Sequence, residues 1–253
     1  MFEVIRIPAF KDNYIWLLRK GRSAVVVDPG DASPVLDVLD REGLALKAIL
    51  ITHHHADHQG GISALLAQYP ADVFGPAAES ITALTHPLLG GESIRLDSIG
   101  ADFKVLALPG HTLGHLAYLS DGRLFCGDTV FGAGCGRLFE GSPAQMHDSL
   151  ARLAALPGDT AVYCAHEYTE TNLRFALMIE PGSRSLRRRV DEVAVARGKG
   201  LATIPTTIEL EKATNPFLRC QVPEVIASVR NRGEDASDAL AVFTALRKWR
   251  DAF

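Results

Sequence analysis

Short apolar runs, each closed by a glycine, a proline or a polar residue, recur through the first two thirds of the chain. Runs of this length that are rich in β-branched and aromatic residues are typical of buried strands. The N-terminal stretch MFEVIRIPAFKDNYIWLL alternates apolar and polar residues, and we expect it to form a strand. The other predicted strands are SAVVVDPG, LKAILIT, ADVFG, FKVLALPG, HLAYLS, RLFCGDTV and TAVYCAH.

Apolar residues at helical spacing appear between these runs, in PVLDVLDREG, GISALLAQYP and SPAQMHDSLARLAALPG. The third segment has a clear start signal, because Ser142 precedes Pro143 and is followed three residues later by Gln145. Strands that alternate with helices indicate a layered α/β domain.

The pattern changes after His166, where strand signals become rare and helical spacing dominates. We therefore predict two domains, an α/β domain over residues 1–168 and a helical domain over residues 169–253. Ser237 is expected to cap the last helix, and the basic run Arg187–Arg189 is expected to lie on a solvated helix face. The predicted helices of the second domain are TETNLRFALMIEP, SLRRRVDEVAVARGKG, VPEVIASVRNRG and SDALAVFTALRKWRDAF.

Composition and charge argue against several classes of protein. The 253 residues are 47% hydrophobic and 22% charged, and the net charge of −4 gives no support for binding nucleic acid or an anionic membrane. No apolar run approaches the roughly 20 residues that span a bilayer, and the N-terminus does not resemble a secretory signal. We expect a cytoplasmic monomer. The four cysteines show no CxxC spacing and are expected to be free, mostly buried thiols.

Candidate chemistry is concentrated in the stretch THHHADH, residues 52–58, which holds four of the nine histidines and one aspartate. Neutral imidazole and carboxylate are the usual ligands of zinc and similar divalent ions. If the stretch leaves a strand as a loop and then enters a helix, His53 and His55 point one way while Asp57 and His58 turn to a neighbouring position. That arrangement suits two metals, whereas His54 is expected to point away and to be structural.

Further ligand types stand at the ends of other predicted strands. His111 follows FKVLALPG, Asp128 belongs to RLFCGDTV, and His166 ends TAVYCAH. Each is flanked by small residues, and active sites of layered α/β folds collect at strand ends. Together with the cluster they make five histidines and two aspartates, a count that suits two metals with Asp128 shared between them.

The pattern His53-x-His55-x-Asp57-His58, followed by His111, Asp128 and His166, resembles the metallo-β-lactamase superfamily. Several longer strings resemble glyoxalase II, the hydroxyacylglutathione hydrolases: DNYIWLL, GCGRLFEG, YCAHEYTETNLRFA, TNPFLR and LRKWRDAF. The likeness runs from the first strand to the last helix. It implies a metallo-β-lactamase αββα sandwich followed by a small helical substrate-binding domain.

The resemblance also implies a reaction and a cofactor. Two divalent metals, zinc in the first place and otherwise iron or manganese, would hold a hydroxide that attacks the thioester of S-D-lactoylglutathione. The products would be glutathione and D-lactate, in the second step of methylglyoxal detoxification. Asp57 and Asp128 would be the catalytic carboxylates, with no separate protein nucleophile. One metal would be held by His53, His55 and His111, the other by Asp57, His58 and His166, with Asp128 bridging.

Substrate contacts are carried over from the same family. Arg137, Tyr168, Arg247 and Arg250 would bind glutathione. Arg137 and Arg250 stand where lysine is commoner in the family. Phe139 stands where some members have a tyrosine and has no hydroxyl, so we expect either a lower affinity for glutathione or a hydrogen bond from another residue. Asp28, at the end of VVVDPG, is expected to orient a ligand histidine.

Other functions on the same scaffold provide alternatives. A lactonase or β-lactamase would need neither the AHEYT string nor the basic C-terminal helix. A glutathione persulfide dioxygenase shares the HxHxDH pattern, and oxygen consumption would identify it. An RNA-processing nuclease would have additional nucleic-acid-binding segments. A non-catalytic binding module is disfavoured because all seven ligand positions are filled.

Overall fold

The computed structural model describes residues 1–253, which form two compact units. The N-terminal unit comprises Met1–Leu108 and Leu113–Gly127. The C-terminal unit comprises Pro109–Thr112 and Asp128–Phe253. Each is described below by itself.

The first sheet of the N-terminal unit begins with a hairpin. Strands β1 (Glu3–Ala9) and β2 (Asn13–Lys20) pair antiparallel, so the expectation of one strand here was wrong. The alternating pattern continues through the turn, where Phe10 adopts a φ of 49°. A positive φ is uncommon for a residue other than glycine, so composition gave little sign of the reversal.

Four more strands complete this sheet in the order of the chain: β3 (Ser23–Val27), β4 (Ala45–Leu50), β5 (Asp72–Pro76) and β6 (His86–Leu88). The pairs β3–β4, β4–β5 and β5–β6 are parallel, which requires crossover connections. Three helices lie on the first two crossovers: α1 (Ser33–Glu42), α2 (Ala56–Gln59) and α3 (Ile62–Leu66). Parallel strands place their carboxyl ends at one edge, and the ligand-rich loop follows β4 there.

The N-terminal unit also contains the strands β7 (Ser93–Leu96), β8 (Ala101–Ala107), β9 (Leu116–Ser120) and β10 (Arg123–Gly127). They lie side by side in the order β10-β9-β8-β7, and all neighbours are antiparallel. β10 ends one residue before Asp128. A core of fully buried aliphatic residues, among them Val26, Leu39 and Ile49, fixes β3, α1 and β4 against one another.

The C-terminal unit is mostly helical. Its helices are α4 (Pro143–Ala154), α5 (Thr169–Ile179), α6 (Arg184–Gly198), α7 (Ile208–Thr214), α8 (Pro223–Arg230) and α9 (Ala239–Asp251), with a 3₁₀ turn at Pro216–Leu218. Two short antiparallel pairs accompany them: β11 (Val130–Phe131) with β12 (Gly134–Cys135), and β13 (Ala161–Cys164) with β14 (Thr206–Thr207).

Helix starts in this unit show what local sequence determines. Ser142 and Gln145 form the reciprocal capping box expected at α4. The expected cap of the last helix was wrong, because Asp238 rather than Ser237 accepts a hydrogen bond from the backbone N–H of Ala241. Both residue types are good caps, so sequence alone did not separate neighbours.

None of the helices combines the length and the apolar character that crossing a lipid bilayer would take.

Candidate metal centre and substrate contacts

The loop after β4 has the conformation that its sequence predicted. His53 lies in the loop and His55 on extended backbone, and α2 then begins at Ala56, so that Asp57 and His58 occupy its first turn. His53 Nε2 lies 3.0 Å from His55 Nδ1, and His58 Nε2 lies 3.5 Å from Asp57 Oδ2. The stretch therefore presents ligand atoms in two neighbouring pairs.

Asp28 orients two of these rings. β3 and β4 are parallel neighbours, so Asp28 and Thr52 meet beyond their carboxyl ends. Asp28 accepts hydrogen bonds from the Thr52 N–H and hydroxyl, both at 2.8 Å, and its Oδ2 lies 3.1 Å from His58 Nδ1. The hydroxyl oxygen of Thr52, with its proton already donated, accepts from His53 Nδ1 at 3.0 Å. The His53 imidazole thus carries the proton on Nδ1 and presents a lone pair on Nε2.

Asp57 and His54 have partners of their own in the N-terminal unit. Asn13 Nδ2 donates to Asp57 Oδ2 at 2.9 Å. Glu79 Oε2 accepts from the backbone N–H of His54 at 2.7 Å and lies 3.0 Å from His54 Nδ1. His54 therefore faces Glu79, as a structural role for this histidine requires.

The C-terminal unit contains three further candidate ligands, all buried. His111 Nε2 and His166 Nε2 lie 3.5 and 3.4 Å from the same oxygen, Oδ2 of Asp128. The His111 Nδ1 lies 2.7 Å from the backbone carbonyl oxygen of Arg137. A carbonyl oxygen only accepts, so Nδ1 carries the proton and Nε2 presents its lone pair. One carboxylate oxygen close to the Nε2 atoms of two histidines is an arrangement that suits a shared ligand.

The seven candidate ligands fall into groups that suit a metal ion. The N-terminal unit contributes His53, His55, Asp57 and His58, and the C-terminal unit contributes His111, Asp128 and His166. Imidazole nitrogen and carboxylate oxygen are the donors that hydrolytic zinc sites use. The residues present therefore fit a divalent metal site.

The predicted substrate contacts differ in exposure. Arg137 is well exposed, and its Nε lies 3.9 Å from Asp251 Oδ1. Tyr168 is half-buried and stacks on the ring of His166 at 4.7 Å between centroids. Arg250 is half-buried and donates to Asn172 Oδ1 from Nε and Nη2; burial, with Arg247 nearby, lowers the pKa of its guanidinium. Arg247 differs from them, being only 5% exposed.

Phe139 lies at the edge of this region with 60% of its surface exposed. Its ring packs edge-on against His111 at 5.3 Å, and the guanidinium of Arg137 lies 5.7 Å above it. A hydroxyl on this ring would therefore lie near solvent, and the aromatic contact with His111 does not need one.

No cysteine is suited to be a nucleophile. All four are free and buried, as the sequence predicted. Burial raises the pKa of the Cys220 thiol to about 12 and also raises the pKa of Cys135. Thiols with raised pKa values in apolar surroundings are inert.

Four further side chains form hydrogen bonds to candidate site residues: Asn13, Thr52, Glu79 and Asn172. The sequence analysis assigned none of them a role. Asn13 belongs to the string DNYIWLL, which gave one signal that could have found it. Thr52 opens the stretch THHHADH and Asn172 belongs to the string YCAHEYTETNLRFA, so the sequence also drew attention to their surroundings, whereas only folded contacts identify Glu79.

Comparison with known proteins covers the whole chain. Residues 10–166 match the model of the metallo-beta-lactamase superfamily, and residues 167–253 match that of the hydroxyacylglutathione hydrolase C-terminus. Curated hydroxyacylglutathione hydrolases of Dechloromonas aromatica and Photobacterium profundum are 56% and 54% identical, with full coverage of both chains in each case.

Solved structures share the fold. The crystal structure of ETHE1 from Myxococcus xanthus has a TM-score of 0.66 at 28% identity and covers 98% of each chain. BLEG-1, a B3 metallo-beta-lactamase, has a TM-score of 0.63 at 25% identity and covers 86% of this chain and 99% of its own. The predicted metallo-β-lactamase fold with a helical C-terminal domain is confirmed.

Proposed function

The chain belongs to the hydroxyacylglutathione hydrolases of the metallo-β-lactamase superfamily, and from this premise we propose that it hydrolyses S-D-lactoylglutathione to glutathione and D-lactate. The supporting observation is a sequence identity of 53–56% to three curated relatives over their full length. All three are named hydroxyacylglutathione hydrolase. The match includes the C-terminal helical region, which a lactonase or β-lactamase would not need.

Two divalent ions, zinc in the first place, are proposed as the cofactor. His53, His55 and His111 would hold one ion, and Asp57, His58 and His166 the other, with Asp128 shared between them. The hydrogen bonds that fix the tautomers of His53 and His111, and the burial of His53, His58 and His111, support this assignment. Bound there, such ions would lower the pKa of coordinated water to about 7 and polarise the thioester carbonyl.

The protein's own side chains and backbone then act by holding the candidate ligand histidines in the orientation that metal binding requires. Thr52 and the Arg137 carbonyl accept hydrogen bonds from the Nδ1 atoms of His53 and His111, which leaves Nε2 of both rings as the atom to bind a metal ion. A glutathione thiolate is a good leaving group, so the reaction needs no strong protein acid. The inert cysteines support direct attack by water rather than a covalent enzyme intermediate.

Glutathione recognition is proposed for Arg137, Tyr168, Arg247 and Arg250. Glutathione has two carboxylates, and charge-assisted bonds to guanidinium groups contribute about 1.5–3 kcal/mol each. The exposed Arg137 and the half-buried Arg250 both offer N–H donors for such bonds. Stacking on His166 fixes the ring of Tyr168 beside a candidate metal ligand.

Substrate preference tests the reaction. The purified protein would be assayed with S-D-lactoylglutathione, a cephalosporin, an acyl-homoserine lactone and glutathione persulfide, the last with an oxygen electrode. We expect the thioester to give the highest kcat/KM and no oxygen uptake. A higher kcat/KM for a lactone or a β-lactam, or oxygen consumption with the persulfide, would reject the proposed reaction.

We further propose that the enzyme acts as a cytoplasmic monomer on a small-molecule glutathione thioester. The acidic net charge supports a partner other than nucleic acid or membrane. Size-exclusion chromatography with light scattering would measure the oligomeric state, and a mass of 27.3 kDa corresponds to the monomer.

A further inference from the structure

A fully buried asparagine, Asn215, forms hydrogen bonds to the β11–β12 hairpin. Its Nδ2 donates to the carbonyl oxygens of Gly134 at 2.8 Å and Phe131 at 3.4 Å, and to Glu211 Oε2 at 3.0 Å. Its Oδ1 accepts from the Phe217 N–H at 3.1 Å. The string TNPFLR, to which the proposed reaction assigns no role, thus bonds directly to this hairpin.

The hairpin fits closely against α5. A Cβ built on Gly132 would overlap the Thr169 hydroxyl, and one built on Gly134 would overlap the Asn172 amide. Asn172 Nδ2 also donates to the Gly132 carbonyl oxygen at 3.0 Å. Interiors packed this closely transmit a displacement to their neighbours instead of absorbing it. A change in the way Asn215 holds the hairpin should therefore reach the side chains of the hairpin.

One of those side chains, Phe131, packs against two residues of the candidate site. Its ring meets His166 at 5.8 Å between centroids with an angle of 87° between the planes, and it meets Tyr168 at 5.3 Å and 80°. His166 and Tyr168 stack on each other with their planes only 6° apart. Edge-to-face contact is a preferred geometry for aromatic rings. Because Phe131 is buried, its ring limits how far the two stacked rings can turn.

We propose that Asn215 is a positioning residue, which holds Phe131 through the β11–β12 hairpin so that the stack of His166 and Tyr168 keeps the orientation that metal binding by His166 requires. The inference rests on the proposed function, in which His166 binds one of two metal ions. Asn215 also caps the 3₁₀ turn at Pro216–Leu218. The cap uses Oδ1 and the hairpin bonds use Nδ2, so substitution can separate the two roles.

Two substitutions and a control distinguish positioning from general stability. Asn215→Ser keeps a good capping residue but loses the Nδ2 donor. Phe131→Leu removes the ring and keeps an apolar side chain. Phe175→Leu is the control, because Phe175 is a similarly buried ring of the same unit that packs on Phe217 and Phe253.

Zinc binding to the metal-free proteins is the first readout, measured by competition with a chromogenic chelator. We expect Asn215→Ser and Phe131→Leu to weaken one of the two zinc equivalents by about 2- to 10-fold, the range that one edge-to-face aromatic contact corresponds to. The other equivalent should keep the parental affinity, since His166 is assigned to one ion only. Phe175→Leu should lower the melting temperature and leave both equivalents at parental affinity.

NMR spectra of the metal-free proteins with ¹⁵N-labelled histidines give a second readout. Asn215→Ser should shift the ring resonances of His166, because the changed hairpin bonds act on that ring through Phe131. The resonances of His86, on β6 of the N-terminal unit, should stay in place and serve as the internal reference. Phe175→Leu should leave the His166 resonances unchanged.

Equal weakening of both zinc equivalents, or parental zinc affinity together with unshifted His166 resonances, would overturn the inference and leave Asn215 a role in stability alone. If Asn215→Ser does not fold, Phe131→Leu is compared with Phe175→Leu, and parental affinity for both equivalents in Phe131→Leu would reject positioning. Neither readout uses the thioester, and the spectra need no metal. Failure of the parent to hydrolyse S-D-lactoylglutathione would therefore reject the proposed reaction, while these measurements would still decide the role of Asn215.

Discussion

A single buried carboxylate, that of Glu79, connects two backbone positions near the candidate metal ligands. Its Oε2 accepts from the His54 N–H at 2.7 Å, and its Oε1 accepts from the Gly114 N–H at 2.9 Å. Because a buried N–H without a partner is costly, this side chain fixes both stretches of backbone. His54 is thereby held between two candidate ligands without being one.

Replacing Glu79 by glutamine should loosen that connection. The variant keeps one acceptor but places an N–H₂ group opposite a backbone N–H, so the free energy of unfolding should fall by about 1–3 kcal/mol. Urea unfolding followed by circular dichroism would measure it. Glu3→Gln, at an exposed ion pair with Arg19, serves as the control and should unfold like the parent. Equal stability of parent and Glu79→Gln would refute this role.

Gly136 provides a second test at the level of one residue. Gly136→Ala places a methyl group 2.0 Å from the Asp128 carbonyl, and such overpacking costs about 1–3 kcal/mol. We expect lower stability together with weaker zinc binding, measured by thermal unfolding and by competition with a chelator. Gly182→Ala is the matched control, since nothing lies within 4 Å of its added Cβ. A Gly136→Ala protein with parental zinc affinity would show that this contact does not matter for the site.

Among the helices, the start of α9 allows a direct comparison of two adjacent candidate caps. Asp238 Oδ1 accepts from the Ala241 N–H at 2.8 Å, and α9 contains Arg247 and Arg250. Asp238→Ala should lower the free energy of unfolding by about 1 kcal/mol, the usual effect of losing a cap. Ser237→Ala should leave it unchanged. Chemical denaturation of both variants tests the assignment, and the reverse order would place the cap at Ser237.

Between elements, a buried ion pair joins α6 to α7 and to the β11–β12 turn. Glu211 Oε1 accepts from Arg189 Nη2 and from Thr206 Oγ1, and Glu211 Oε2 accepts from the Ala133 N–H at 2.8 Å. Ala133 adopts a φ of 56°, so the turn needs such support. This turn lies between Asp128 and Arg137 in the chain.

Breaking that pair should destabilise the C-terminal unit strongly. Glu211→Gln leaves the Arg189 charge buried without a counter-charge, and such a loss costs about 3–5 kcal/mol. The neighbouring exposed pair between Arg188 and Glu192 gives the control, because Glu192→Gln removes a solvated contact on the same helix. Guanidinium unfolding would compare the two variants, and similar midpoints for both would contradict the account.

For the whole molecule, sequence reasoning succeeded where a local pattern was sufficient. Apolar strands β4, β10 and β13 end at ligand-rich stretches, and Ser142 starts α4 as expected. The family resemblance and the reaction class are confirmed by relatives that match the full length. The ligand assignments to each metal and the glutathione contacts stay predictions.

The features that sequence missed depend on distant partners. Arg189 belongs to a basic run and was expected to be solvated, which was wrong, because Thr206, Thr214 and Glu211 bury and satisfy it. Arg187 and Arg188 in the same run are exposed, as expected. The burial of Arg247 escaped notice for the same reason, since residues more than a hundred positions earlier accept its hydrogen bonds.

Metal dependence of thioester hydrolysis is the most direct test of the central claim. S-D-lactoylglutathione hydrolysis would be followed by the loss of ultraviolet absorbance of the thioester bond, in protein stripped by a chelator and then titrated with zinc, while metal content is determined by atomic emission. The account predicts that hydrolysis disappears on stripping and returns in full when two equivalents of zinc are bound. Undiminished hydrolysis by protein that contains no metal, or none by folded protein with both sites filled, would contradict it.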